Sequence, residues 1–204
     1  IVGYGGIVTT SDFVSWAQPV TGYSFTGITS GSGLAVAVGS WTIRTSSDGL
    51  SWTSQALPAA SSGENAHLAA VGHGRSGFVA AGSAGALLTS VAGTSWAQAT
   101  WPTSRYWMSV AHDGVRYCAV GTNGAVASSG DGISWTNRTP PTNYDRSSII
   151  FGGRQFVAVG YGSSVWTSAD CATWSQAALP LPSGATWVSI SDVVFGGGRY
   201  VAVG

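Results

Sequence analysis

Ser128-Ser129-Gly130-Asp131-Gly132-Ile133-Ser134-Trp135 recurs in variant form five times along the chain. The tryptophans are Trp16, Trp52, Trp96, Trp135 and Trp174, and four residues before them stand Asp12, Asp48, Ala92, Asp131 and Asp170. Ser or Thr always occupies the positions two and three residues earlier. An Asp carboxylate accepts backbone N–H bonds in a tight turn, and a following Gly permits positive φ. The Trp then opens the return strand and supplies a large surface to bury. Each copy therefore reads as a β-hairpin whose turn and anchor are both local, and the Asp residues read as turn-formers rather than catalysts.

A second signature ends in glycine: Val36-Ala37-Val38-Gly39, Phe78-Val79-Ala80-Ala81-Gly82, Tyr117-Cys118-Ala119-Val120-Gly121, Phe156-Val157-Ala158-Val159-Gly160 and Tyr200-Val201-Ala202-Val203-Gly204. Ile1-Val2-Gly3 resembles the tail of another copy, and successive glycines lie 36, 43, 39, 39 and 44 residues apart. Steps of roughly 40 residues match one four-stranded propeller blade. Repeats are placed at about 1–39, 40–82, 83–121, 122–160 and 161–204, in one domain spanning 1–204. Within a repeat, strand A (147–151) leads to B (156–159), C (165–168) and, after the Asp turn, D from Trp174. Pro-bearing loops then cross to the next blade, and no window shows helical periodicity. Counting strands, the chain opens with C and D, runs through four complete blades and ends with A and B. The expected fold is all-β, a five-bladed propeller closed by a blade shared between the two termini.

The pattern resembles the Asp-box or BNR-type repeats of sialidases and the repeats of photosystem II assembly-factor-like proteins. The usual box is Ser-x-Asp-x-Gly-x-x-Trp; here Gly49 and Gly132 directly follow Asp48 and Asp131 and the spacing to Trp is one shorter. Ala92 replaces the third Asp, while Phe13 and Cys171 replace Gly in the outer copies. The resemblance implies the fold across the whole chain. It implies no particular activity, because such repeats occur in enzymes and binding modules alike. Five-bladed tachylectin-type lectins are the analogy at the level of fold.

Composition narrows the partners. Charged residues are 8% of the chain, against about 25% in ordinary domains. The eight basic residues are all Arg and the net charge is zero, so no basic face tracks phosphates and nucleic acid is disfavoured. Low charge removes repulsion between copies and favours association. No run of 18 apolar residues is present, so no membrane span is expected. The chain starts mid-repeat and without Met, which predicts a processed product or a piece of a longer protein. Cys118 lies in a strand and Cys171 in a turn of another repeat; these unlike positions predict that the two do not pair.

Meander geometry puts the D-to-A and B-to-C connections on one rim, where propellers hold ligands. The candidate ligand residues there are Tyr23, Trp41, Asn65, Arg105, Tyr106, Tyr144, Asp145, Arg146 and Tyr161, with Trp107 and Trp187 just inside strand A. Aromatic faces beside amide, carboxylate and guanidinium groups suit sugars. The plain alternative is that several of these rings fill gaps between blades. A glycosidase needs two carboxylates at a defined separation. With the Asp turns set aside, Glu64, Asp113, Asp145 and Asp192 remain, and only Asp192 falls on an inner strand. That is poor support for hydrolysis, so the expectation is a protein without catalytic activity. His73 and His112 occupy the place of Phe151 and Phe195, where a flat ring is wanted for packing, so no metal and no cofactor is expected. Two functions follow: a lectin-like or adhesive module of a secreted, surface or phage-tail protein, or a scaffold whose rim meets a protein partner. The D-to-A loops differ from repeat to repeat, which speaks against five equal sugar sites.

Overall fold

The computed structural model describes residues 1–40, 42–58, 67–99, 105–180, 183–185 and 187–204. Its regular structure is antiparallel β. β1 (Val2–Thr9) pairs with the first half of β2 (Ala17–Gly31), and the second half of β2 continues into β3 (Leu34–Gly39), β4 (Thr42–Ser46) and β5 (Thr53–Gln55). This is the N-terminal hairpin followed by blade 1. Blade 2 is β6 (Leu68–Gly74), β7 (Gly77–Gly82), β8 (Leu87–Ser90) and β9 (Ala97–Gln98). Blade 3 is β10 (Trp107–His112), β11 (Tyr117–Gly121), β12 (Val126–Ser129) and β13 (Thr136–Asn137). Blade 4 is β14 (Arg146–Gly152), β15 (Gln155–Gly160), β16 (Ser164–Ser168) and β17 (Ser175–Ala178). A C-terminal hairpin, β18 (Asp192–Gly196) and β19 (Arg199–Val203), follows. The order A-B-C-D holds in every complete blade.

The turn chemistry is as local as its residues. Asp131 Oδ1 accepts the N–H groups of Ile133 and Ser134, both at 2.8 Å, and the Ser129 hydroxyl at 2.9 Å. The Ser129 oxygen accepts Gly132 N–H at 2.8 Å, and Trp135 Nε1 donates to Gly132 O at 3.0 Å. Asp12, Asp48 and Asp170 accept the corresponding pairs of amides. Blade 2, with Ala92, keeps the serine and indole bonds of Ser90 and Trp96. The residue after the Asp position is left-handed in all five turns: Phe13, Gly49, Gly93, Gly132 and Cys171 have φ of 59°, 74°, 80°, 75° and 55°. Phe13 and Cys171 thus hold a conformation that favours glycine.

The glycine that ends each strand B has a different reason. Gly82 and Gly121 are extended, with φ of −172° and −167°. What they lack is room: a Cβ on Gly39, Gly82, Gly121, Gly160 or Gly204 would run into the backbone carbonyl of Ser24, His67, Tyr106, Asp145 or Ser189 respectively. Each of these carbonyls belongs to the chain entering strand A of the same blade, so the glycine lets A and B close up at the rim.

Between blades, side chains set the spacing. A Cβ on Gly93 would touch Val36 of blade 1, and one on Gly132 would touch Val79 of blade 2. The residue after the Asp position therefore packs on the residue three before the glycine that ends strand B in the preceding blade. Cys171 and Cys118 stand in those two places between blades 4 and 3, and they form a disulfide with Cα atoms 5.9 Å apart. The expectation that they stay apart is overturned because positions unlike in the repeat are neighbours across the blade interface.

The expected closure also fails. β1 pairs with β2 and β19 with β18, and no pairing joins β1 to β19 among the described residues. Ile1 explains why: its amino group donates to Val8 O at 2.9 Å, and Val8 N–H donates to Ile1 O at 3.0 Å. In blade 1 the pairs Ala37↔Arg44 and Val38↔Ile43 link B to C. Ile1-Val2-Gly3 therefore sits on strand C where Ala202-Val203-Gly204 would have to lie. A Cβ on Gly3 meets nothing within 4 Å, as fits a strand-B end without its strand A.

Two outcomes follow. Gly160→Ala must push β15 from β14 and is expected to lower stability by about 1–3 kcal/mol, the usual cost of overpacking, in urea unfolding. An unchanged midpoint would remove the close-approach argument. The amides around Asp12 hold its pKa at about 2, below the ordinary 3.8. The backbone amides likewise lower those of Asp131 and Asp170. A depressed carboxyl pKa contributes stability that is complete above the unfolded value and lost as pH falls through the folded one. Unfolding midpoints should thus drop from pH about 4 toward pH 2, and less steeply in Asp131→Asn.

Candidate functional site at the rim

The loops of one rim are tied together by backbone bonds. Ser83 N–H donates to His67 O at 2.8 Å, and Gly85 N–H reaches Arg105 O of the next blade at 2.8 Å. Tyr161 N–H donates to Asp145 O and Gly162 N–H to Val188 O, both at 3.0 Å. The B-to-C loops of blades 2 and 4 are thereby clamped between the D-to-A segment of their own blade and the segment that follows it. Asn123 tightens the clamp, since its N–H donates to Asp145 Oδ1 at 2.7 Å and its carbonyl accepts from Arg105 Nη1 at 3.1 Å.

One exposed aromatic cluster rests on this base. Tyr144, Tyr161 and Trp187 are each about half-exposed. The Tyr144 and Tyr161 rings meet edge-on at 6.0 Å, and Tyr161 lies 5.1 Å from Trp187 at 32°. They come from the loop before β14, the loop after β15 and the segment before β18, so the cluster spans the junction of blade 4 with the C-terminal hairpin. Gly162, at φ 107°, packs beneath Tyr144. The cluster is the continuous aromatic surface that the described rim offers.

The other candidate residues separate. Tyr23 stands on blade 1, half-exposed, with the Arg44 guanidinium 4.6 Å from its ring centroid. Tyr106 hydrogen-bonds His67 Nδ1 through its hydroxyl at 3.1 Å, and burial pushes its phenol pKa up. Arg105 and Asp145 are exposed and engaged with Asn123. Trp41 and Asn65 lie outside the described residues, as does Glu64.

Two expected ligand residues are corrected: Trp107 and Arg146 are fully buried. Both are the first residue of strand A, and their counterparts Phe25 and Leu68 are buried core residues as well. For Arg146, the polar neighbours Asp145 and Ser147 hid this. Arg146 lies with its guanidinium 4.0 Å from the Trp166 ring and donates to Ser164 O at 3.1 Å. Desolvation lowers its pKa to about 10, against the opposing pull of Asp145.

The remaining acids also have structural partners. Asp192 Oδ1 accepts the Ser148 hydroxyl at 2.7 Å, across neighbouring inner strands, and Asp113 pairs with Arg116 at 3.0 Å. His73 and His112 pack on Phe78 and Tyr117 at 4.5 and 4.4 Å between ring centroids. No group of three metal-ligating side chains occurs among the described residues, and no described helix is long and apolar enough to cross a membrane.

The chain matches no protein-family model and no curated protein sequence. Its fold is that of solved propellers. Virginiamycin B lyase from Staphylococcus aureus superposes with a TM-score of 0.80 at 13% identity, covering 96% of this chain and 69% of that one. YCF48 from Cyanidioschyzon merolae gives 0.63 at 18% identity over 91% and 69%. YCF48 bound to D1 peptide gives 0.63 at 15% over 89% and 62%. At these identities the likeness defines a β-propeller and nothing finer.

Proposed function

We propose that this propeller is a non-catalytic binding module whose rim takes a segment of a partner polypeptide across Tyr144, Tyr161 and Trp187. The observation that carries the reading is the exposed three-ring cluster on a rigid, hydrogen-bonded base. Aromatic rings give large contact area for little lost side-chain freedom and dominate protein interfaces. Three polar groups beside the cluster are already used: Asp145 Oδ1 by Asn123 N–H, and the amides of Tyr161 and Gly162 by neighbouring carbonyls. A sugar needs free groups to fix its hydroxyls. A peptide brings its own apolar side chains and asks less of the rim. A propeller of similar fold, YCF48, has been solved with the D1 peptide. The partner role for this chain rests on the cluster.

The lectin-like reading keeps support from the same rings and is the second reading. The acids described on the inner strand and rim are held in structural hydrogen bonds, which supports a binding role over hydrolysis. The disulfide supports an oxidising compartment, hence a secreted or surface setting. The closed five-bladed ring of the sequence reading would need the Ile1–Gly3 arm to leave strand C.

The test is a random-peptide display selection run beside a glycan array. Selected peptides should be rich in apolar residues, and Trp187→Ala should weaken their binding by about tenfold or more, the loss of a central aromatic anchor. Array binding without peptide enrichment would replace this reading with the lectin. Peptide binding unaffected by Trp187→Ala would displace the site.

A further inference from the structure

We propose that a pocket on blade 3 is a binding site for a tetrahedral oxyanion, the head of a sulfate or phosphate monoester. It lies at the Asp-turn end of the blade, opposite the rim that carries the aromatic cluster. Its volume is about 290 Å³. Arg116 closes it from the turn before β11 and Ser128 from β12, while Ser134, Thr136 and Arg138 close it from the Asp turn and the strand that follows. Its side chains offer N–H and O–H donors, and no carboxylate lines it.

The other blades show what the fold itself requires at this place. On blade 2 the corresponding pocket, about 520 Å³, is lined by Val91, Ala97 and, from the next Asp turn, Ile133, with no basic residue. On blade 1 the position of Arg138, three residues after the Trp, is held by Gln55. Gln55 Nε2 donates to Thr45 Oγ1 at 2.8 Å, and Arg138 Nε donates to Ser128 Oγ at 2.8 Å. Thr45 and Ser128 are equivalent, each one residue before the Ser of its Asp turn. An amide is therefore enough to tie strand D to strand C. The arginine makes the same tie and keeps both Nη groups in hand, with a charge that no carboxylate pairs among the described residues.

Arg116 forms a fixed wall. Its Nε pairs with Asp113 Oδ2 at 3.0 Å and its Nη1 donates to Asp170 O at 2.9 Å, which leaves Nη2. Asp113 and Asp170 offset its charge, so the surplus positive charge of the pocket is that of Arg138. Cys118 opposes Ser128 across the sheet, and its disulfide to Cys171 holds the Asp turn of blade 4 against this wall. Donors set in place beforehand lose little freedom on binding. Guanidinium groups hold sulfate and phosphate through charge-assisted bonds. A planar carboxylate would occupy one guanidinium fork. A tetrahedral anion has oxygens for donors on several sides, here including the Ser134 and Thr136 hydroxyls, which carry no hydrogen bond among the described residues. One surplus arginine suits a single anionic group and not a phosphate chain, in keeping with a net charge of zero.

Titration calorimetry with sodium sulfate and with sodium phosphate, at an ionic strength held by sodium chloride, should show saturable binding. Arg138→Gln should weaken it about tenfold or more through the lost charge-assisted bonds. The glutamine repeats the bond that Gln55 makes in blade 1, so this variant keeps the fold. Thr136→Val, on the exposed strand β13, should weaken binding about threefold, the loss of one neutral hydrogen bond. Arg154→Gln removes the same charge from an exposed turn and should alter affinity by less than about twofold, since screened charges act weakly at a distance. Binding of one of the two anions alone would support the site and name its ester. No saturable binding of either anion, or equal weakening by Arg138→Gln and Arg154→Gln, would overturn it.

Discussion

Each blade here is held to the next through one recurring contact: the residue after the Asp position packs on the residue three before the glycine that ends strand B in the blade before. The turn fixes this residue in the left-handed region, which aims its Cα at the neighbouring sheet. With glycine the contact is backbone against Val36 or Val79; with Cys171 it becomes covalent. A disulfide across 53 residues is worth about 2–5 kcal/mol, so the chemistry at this one interface exceeds what the turn hydrogen bonds contribute singly. The Asp turn is thus more than a reversal of direction, since it sets how far apart the spokes stand.

The second constraint acts at the opposite end of the blades. The glycine at the end of strand B lets the chain entering strand A pass at backbone contact, and the loops above are clamped by that approach. A rigid rim is what turns Tyr144, Tyr161 and Trp187 from three loop residues into one surface. Arg146 shows the same geometry at work on a residue of the wrong polarity. Strand A begins inside the core, so a guanidinium placed there is buried on Trp166 instead of reaching a ligand. Burying a cation without a carboxylate is costly, and the indole face and Ser164 carbonyl offset part of that cost.

Much of this was legible in the residues because each blade is encoded locally. The Ser-x-Asp-Gly turn, the Trp after it and the Gly-ended strand fall where the spacing puts them. The strand count, with C and D first and A and B last, is also what the chain builds. What the spacing did not carry are relations between repeats. The Cys118–Cys171 pair joins two different repeat positions, so alignment of like with like hides it. Ile1-Val2-Gly3 was visible as a strand-B tail, but its hydrogen bonds to Val8, and hence the blocked closure, are a matter of which edge is already filled. At the rim, the repeat pattern puts Tyr144 and Tyr161 in loops but Trp187 just inside strand A. Arg146 reads as a rim residue and Trp107 as a ligand residue just inside strand A, although alignment with Phe25 and Leu68 marks both places as core.

The most direct test of the blade-to-blade contact is the disulfide map of the oxidised protein. Proteolysis without reduction, followed by mass spectrometry, should release one linked pair of peptides containing Cys118 and Cys171, separating on reduction. Two free thiols in the folded, air-oxidised chain would contradict it, because the contact that spaces the blades would then not bring those residues together.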